Sequence, residues 1–351
     1  MSEYLEQSTP GAFDGSTTNS RIQPSEAACQ EAPRGDARPV CAACVVTFNS
    51  EATIGKLLRS IAAERIPVHV RVLDNASSDQ TVSVIEELIR ELGLDVTVDV
   101  SAANLGFPIA CNQLMRECTE PTIAVINPDV ELTPGALERL VAVASHEKSV
   151  GIVTCRLMTR QGRSQTAPAR TRPRLRHLVT RDTARRLARL TGVRRVDPLL
   201  KDRDVECMTG ALMVFRRQLT ADVGYLDESI FMYLEDIDFA ARVRRAGYRI
   251  RYIGTTWAWH DCGGSTPTHD PRTYALLPRV WITYIGRYGS PFERIIVRPF
   301  IFCLAAGTAL KRISARESPA GQVAAMWGAV TYRAESMSLG PKGRSSTHGK
   351  S

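Results

Sequence analysis

Runs of apolar residues alternate with amphipathic segments from Pro39 onward, and the alternation predicts most of the elements. Cys41 to Phe48 is a compact apolar run with strand character, and Val68 to Leu73 is a second. Between them, Ala52 to Ala63 reads as a helix. Asp79 to Leu92 carries Ile85, Leu88, Ile89 and Leu92 on one face, with Ser78 or Asp79 as cap, and predicts a helix. Val96 to Val100 is a strand, Phe107 to Cys118 a helix and Thr122 to Ile126 a buried strand. Pro134 to Ser145 is a helix with proline near its first turn. Such alternation predicts an α/β fold with a mostly parallel sheet and a ligand crevice at its strand ends.

After residue 159 the pattern breaks. Residues 160–204 are rich in arginine (Arg170, Arg172, Arg174, Arg176, Arg185, Arg186 and Arg189) and read as a basic insert. Regular structure is expected again near Val205. Ala211 to Phe215 is a strand, Tyr248 to Ile253 and Thr256 to Trp259 are short strands, and residues 272–288 and 292–312 read as helices. The domain reading is a disordered tail over 1–38, an α/β domain over 39–270, a helical region over 271–337 and a second disordered tail over 338–351.

Tyr233 to Arg242 puts an acidic pair at the start of a helix whose buried stripe is Phe239, Val243 and Ala246. The spacing turns Asp236 toward the buried side and gives Asp238 a surface partner in Arg242, four residues on. A carboxylate turned inward is paired, metal-bound or used.

Composition narrows the partners. The net charge of +8 favours an anionic ligand: a nucleotide, a diphosphate lipid or an acidic membrane surface. The basic run lacks interleaved aromatics, which disfavours nucleic acid. Of nine cysteines only Cys41 and Cys44 are closely spaced, without the second pair a zinc site needs, and a reducing compartment fits. The N-terminus has no signal-type apolar core and no run is long enough to span a membrane, so a cytoplasmic protein is expected. Residues 295–310 form an apolar stretch that suits an interfacial helix or a core helix, and the basic insert reads either as a solvated loop or as a clamp for anionic head groups.

Three buried strands end on groups that bind ligands: Thr47 to Ser50, Asp74 to Asp79 and Asn127 to Asp129. Neither a P-loop nor a G-x-G-x-x-G signature follows a strand. A bound diphosphate would then need another neutralising group, and a divalent cation on Asp129 serves that purpose.

The ordered set Val45–Ser50, Asp74–Asp79, Asn104–Phe107, Ile126–Val130, Thr209–Ala211, Phe231–Asp238, and His260 with Gly263–Ser265 resembles the family 2 glycosyltransferases of the GT-A fold, and within them the rhamnosyltransferase branch. The resemblance spans about residues 40–270. It implies a sheet flanked by helices, and an inverting transfer of sugar from a nucleotide donor to a lipid-linked or polysaccharide acceptor. By the resemblance, Thr47, Asn49, Asp74, Asn75, Asn104, Gly106 and Asn127 line the donor. Gly210, Ala211 and Glu235 shape the acceptor side. Asp129 and His260 hold Mg2+ or Mn2+, and Asp236 is the catalytic base. Asn127 replaces the first aspartate of the family's D-x-D motif, which implies a weaker metal site. The implied donor is dTDP-L-rhamnose, with UDP-galactofuranose the alternative sugar and non-catalytic nucleotide-sugar binding the alternative function. The acceptor implied is a glycan or a polyprenyl diphosphate at the inner face of the membrane.

Overall fold

A computed structural model describes residues 20–22, 38–165, 198–230, 233–261 and 281–314, with isolated helical positions between 320 and 330. The arginines singled out in the basic insert, Phe231, Met232, Gly263–Ser265 and both ends of the chain lie outside the described residues. The chain divides into two compact units, Met1–His269 and Asp270–Ser351.

In the first unit a strand–helix series builds one half of the sheet. It runs β2 (Cys41–Thr47), α1 (Ile54–Ala62), β3 (Val68–Asp74), α2 (Thr81–Leu92), β4 (Val96–Val100), α3 (Phe107–Glu117) and β5 (Thr122–Ile126). All seven residues of β2 are buried, as a strand covered on both faces requires. Ile54, Leu57, Leu58 and Ile61 give α1 its buried stripe. Asp79 Oδ1 accepts the Thr81 N–H (3.0 Å) at the start of α2, and Gly93 ends it at φ 58°.

β2 pairs in parallel with β3 on one side and β5 on the other. The chain thus runs outward through β3 and β4, then returns to the far side of β2. The crevice at this reversal, beyond the carboxyl ends of β2 and β5, is where open α/β sheets bind ligands.

The other half of the sheet mixes directions. It comprises β6 (Val130–Leu132), β7 (Val150–Met158), β8 (Arg203–Val205), β9 (Leu212–Arg216) and β10 (Arg249–His260), with α4 (Ala136–His146), α5 (Gln218–Val223) and α6 (Glu235–Arg245). Among the described residues the order is β1-β4-β3-β2-β5-β9-β7-β10-β6, where β1 is Ser20–Ile22, with β8 also on β10. β9 is antiparallel to β5 and β7, whereas β7 and β10 are parallel.

Several expectations change. β7 was not foreseen, although it joins β9 to β10. Its run is interrupted by Gly151, Thr154 and Arg156, which mask the strand signal. Gly151 is needed there: a Cβ would lie 2.5 Å from Val243 Cγ1 of α6 and 2.8 Å from Tyr248 Cβ. The two expected short strands after Tyr248 are one strand, β10, irregular between Ile253 and Trp257. Beyond the undescribed residues 166–197, a short 3-10 turn spans Pro198–Leu200 and β8 spans Arg203–Val205, where strand structure was expected near Val205. Within the expected N-terminal tail, β1 (Ser20–Ile22) pairs antiparallel with β4. Ala246 is exposed because α6 ends at Arg245, so the buried stripe of α6 is Phe239, Ala240 and Val243.

In the second unit, residues 281–288 are helical and α7 spans Pro291–Ser314. Val297, Ile301, Ala305 and Ala309 form its buried stripe, while Phe292, Ile295, Leu304, Leu310 and Ile313 are exposed. Among the described residues no helix is long and apolar enough to cross a membrane.

Candidate active site

The carboxyl ends of β2 and β3 are tied by side chains. Thr47 Oγ1 donates to Asp74 Oδ1 (2.8 Å). The Asp74 carboxylate also accepts the Ser77 N–H (2.9 Å) and hydroxyl (2.6 Å), and it is 1% exposed. Asn75 spans the next gap: its Nδ2 donates to Asn104 Oδ1 (2.9 Å) and its Oδ1 accepts the Leu105 N–H (2.8 Å). Asn104 Oδ1 also accepts the Gly106 N–H (3.0 Å), where φ is 81°. That left-handed backbone is open to glycine without strain, and it starts α3. Asn49, exposed at φ 49°, accepts the Ser78 N–H (2.8 Å). The residues expected on the donor side at β2, β3 and β4 thus form one cradle, with Ser77 and Ser78 as its struts.

Asn127 and Asp129 leave β5 at the strand-order reversal. Asp129 Oδ1 lies 3.4 Å from His260 Nε2, and both side chains are about nine-tenths buried. Gln165 fixes the histidine. Its Nε2 donates to the His260 carbonyl (2.8 Å), which leaves Gln165 Oε1 to accept from His260 Nδ1 (2.9 Å). With the proton on Nδ1, the Nε2 lone pair faces a carboxylate oxygen. Two acceptors at that separation suit a shared proton or a cation, and the orienting amide is what metal-binding histidines use. An imidazole with one carboxylate fits a divalent metal completed by phosphate oxygens. Among the described residues no group of three such ligands gathers, in keeping with Asn127 replacing a carboxylate. Gln165 lies 95 positions from His260, so no local sequence signal could have paired them.

Asp236 stands in the first turn of α6, after a strained entry: Tyr233 has φ 66° and Leu234 φ 118°. Its Oδ2 accepts the Gly210 N–H (2.9 Å) and its Oδ1 the Ile237 N–H (2.7 Å). Next to Gly210, the Ala211 carbonyl accepts the Asn127 N–H (2.9 Å). The base candidate and the Asn127–Asp129 loop therefore hang from two adjacent residues of one chain segment. A Cβ on Gly210 would meet Asp236 Cβ at 3.4 Å and Glu235 Oε1 at 3.8 Å, ordinary contact distances, so both acidic residues pack directly against this glycine.

The expected facing of the acidic residues is corrected. Asp236 is half-buried, whereas Asp238 is 2% exposed. Asp238 pairs with Arg242 (2.9 Å) as its spacing implied, but inside the protein. Arg242 goes on to donate to the Val223 and Tyr225 carbonyls, both at 2.7 Å. The pair anchors α6 from inside, while Asp236 turns toward Gly210.

Glu235 is also buried, and its Oε2 has no hydrogen-bond partner. Burial, then the neighbouring Asp236 charge, pushes its carboxyl up to about 8. It is a neutral acid beside the candidate base.

The strand ends of β2 and β3 thus carry a hydrogen-bonded cradle, and the start of α6 carries a carboxylate held by the Gly210 N–H. The family described as Glycosyltransferase like family 2 matches residues 38–275. This chain belongs to that family. This glycosyltransferase is 30% identical over 269 residues to the N-acetylglucosaminyl-diphospho-decaprenol L-rhamnosyltransferase of Mycobacterium tuberculosis, covering 69% of this chain and 84% of that protein. The low-salt glycan biosynthesis hexosyltransferase Agl10 of Haloferax volcanii is 26% identical over 158 residues, 45% of this chain and 47% of that protein. Among solved structures, the mannosyltransferase PcManGT of Pyrobaculum calidifontis, in complex with GDP-Man and Mn2+, matches with a TM-score of 0.53 at 17% identity, covering 86% of this chain and 89% of that one. The fold is the GT-A α/β fold.

Proposed function

We propose that this glycosyltransferase moves L-rhamnose from dTDP-L-rhamnose to an N-acetylglucosaminyl-diphospho-polyprenol acceptor in cell-surface glycan synthesis, by a single displacement with inversion. The observation that carries the mechanism is Asp236, held by the Gly210 N–H one residue from the carbonyl that ties the Asn127–Asp129 loop. The substrates rest on the printed name of the mycobacterial relative.

An acceptor hydroxyl is a poor nucleophile. Asp236 takes its proton as the oxygen attacks the anomeric carbon, and the nucleoside diphosphate leaves from the opposite face. The Gly210 and Ile237 N–H groups orient the carboxylate. Glu235, neutral beside it, keeps a second charge away and acts through Asp236. Thr47, Asn49, Asp74, Asn75, Asn104, Gly106 and Asn127 hold the donor nucleotide, and Gly210 and Ala211 leave room for acceptor sugar. Asp129 and His260 would hold Mg2+ or Mn2+, which when bound offsets the charge of the departing diphosphate. The polyprenyl tail and the exposed apolar side chains of α7 suit work at the anionic inner face of a membrane.

The test is incubation of the chain with dTDP-rhamnose and with UDP- and GDP-linked sugars, Mg2+ or Mn2+, and a GlcNAc-diphosphate-lipid, read by mass. Metal-dependent gain of a deoxyhexose from the dTDP donor alone is expected. Transfer from another donor overturns the substrate, and full activity in chelator overturns the metal.

A further inference from the structure

One face of the second half of the sheet carries chemistry that the roles above leave unused. Along β7, Val153, Cys155 and Leu157 lie in the core beside Leu137 and Leu140 of α4. Ile152 lies in the opposite core, with Phe239, Ala240 and Val243 of α6. Side chains alternate along a strand, so Arg156 belongs to the α6 face. Arg156 stands opposite Trp257, Leu157 opposite Ala258, and Met158 opposite Trp259. Leu157 and Ala258 share the α4 side, which places both tryptophans on the face of Arg156. Their rings are half-buried and meet edge to face, centroids 4.8 Å apart.

The other flank of β7 leads to the candidate base. Val153 stands opposite Val214, and the Thr154 hydroxyl donates to the Leu212 carbonyl (2.8 Å). Continuing this antiparallel register carries Arg156 toward Ala211 and Gly210, whose N–H holds Asp236. Arginine and tryptophans thus lie at the same end of the same face as that carboxylate.

Among the described residues the Arg156 side chain lacks a counter-ion. Its Nε is sealed from solvent with no hydrogen-bond partner. Arg71 and Arg251 share that feature, but each has carboxylates within reach: Glu117 at 3.6 Å and Glu120 at 3.7 Å for Arg71, Glu147 and Asp204 at 3.3 Å for Arg251. Among the described residues Arg156 has none. A half-buried guanidinium in that state is costly by itself, and its planar fork matches phosphate oxygens. The Trp257 ring beside it suits the apolar C–H face of a sugar ring, and Trp259, which has the Arg160 guanidinium 5.3 Å over one side of its ring, offers its other side.

We propose that Arg156, Trp257 and Trp259 form a subsite for a glycosyl diphosphate, taking the sugar ring on the tryptophans and the diphosphate on the arginine, and that its occupant is the acceptor. This deepens the acceptor half of the reading above and rests on it. The donor carries the same diphosphate chemistry, so the experiment separates the two sources.

The full chain is titrated, without donor, with a GlcNAc-diphosphate-alkyl compound, with the same compound lacking the diphosphate, and with dTDP. Intrinsic tryptophan fluorescence is read. Only four tryptophans are present, Trp257, Trp259, Trp281 and Trp327, so the signal is traceable. A saturable change is expected with the diphosphate compound, lost in the W257F/W259F double variant. Arg156→Gln should weaken that binding at least tenfold, leave dTDP binding and binding of the phosphate-free compound unchanged, and melt at or above the wild-type temperature. Arg156→Lys should recover part of the affinity. Weakened dTDP binding in Arg156→Gln would assign the subsite to the donor and overturn the proposal. Unchanged binding of every ligand, or a melting temperature several degrees lower, would overturn it too. An Arg156-dependent titration without sugar transfer would sink the rhamnosyl reading alone, whereas transfer with an unaltered acceptor KM in Arg156→Gln would sink the subsite alone.

Discussion

The two halves of the first unit hold their polar groups in opposite states. At the carboxyl ends of β2 and β3, Thr47, Asp74, Asn75 and Asn104 satisfy one another inside the protein. On β7 and at the start of α6, Arg156 Nε and Glu235 Oε2 are buried without partners, and the backbone enters α6 through left-handed Tyr233 and Leu234. The first half is a finished cradle. The second keeps strain and uncompensated charge where acceptor and transition state would supply the missing partners. On the proposed function the first side holds and the second reacts, so substitutions on the two sides should fail in different ways.

The largest effect belongs to the reacting side. Asp236→Asn should lower kcat by about 10²–10⁴-fold while donor affinity stays the same, as checked by steady-state kinetics and nucleotide titration. An equal loss of donor binding would blur the division.

Asp74→Ala tests the holding side. It strands the Thr47 and Ser77 donors and should cost about 3 kcal/mol of stability in urea unfolding. A variant of native stability would show that the cradle is not held by its own hydrogen bonds.

Gly210→Val should cost about 10²-fold in kcat through displacement of Asp236, with a melting temperature near that of the wild type. Gly210→Ala, whose Cβ meets Asp236 Cβ at 3.4 Å, should be milder. Equal loss in both would point to backbone rather than side-chain space.

The smallest effect is a pH slope. Folded Glu235 keeps its proton up to about pH 8, while an unfolded glutamate loses it near 4.5. Between those values the folded chain binds more protons, so this group's contribution to stability falls as pH rises through the window. Glu235→Gln removes that fall. Its melting temperature relative to wild type should therefore be higher at pH 8 than at pH 4.5, and parallel curves would contradict the burial argument.

The same division governs what could be read from the chain. The parallel half was legible because β2 and β5 are nearly continuous apolar runs, β3 and β4 alternate valine with polar residues, and β2, β3 and β5 end on turns rich in Asp, Asn and Ser. β7 was hidden because Gly151 serves the packing of α6, and Thr154 and Arg156 put polar atoms on a buried face. Helical spacing placed Phe239 and Val243 correctly but reversed Asp236 and Asp238. In the first turn the facing is set by what lies across the strand ends, here Gly210 for Asp236 and the Arg242-bound carbonyls for Asp238. The resemblance grouped His260 with Asp129, and β10 returning beside β6 brings them together, whereas Gln165 behind them was not foreseen because only the topology supplies it.

The most direct test of the central claim is the anomeric configuration of the transferred sugar, read by NMR on the product of wild type and of Asp236→Asn. A single displacement driven by Asp236 predicts inversion relative to the donor, with the variant forming the same product far more slowly. Retention of configuration, or undiminished turnover in Asp236→Asn, would contradict it.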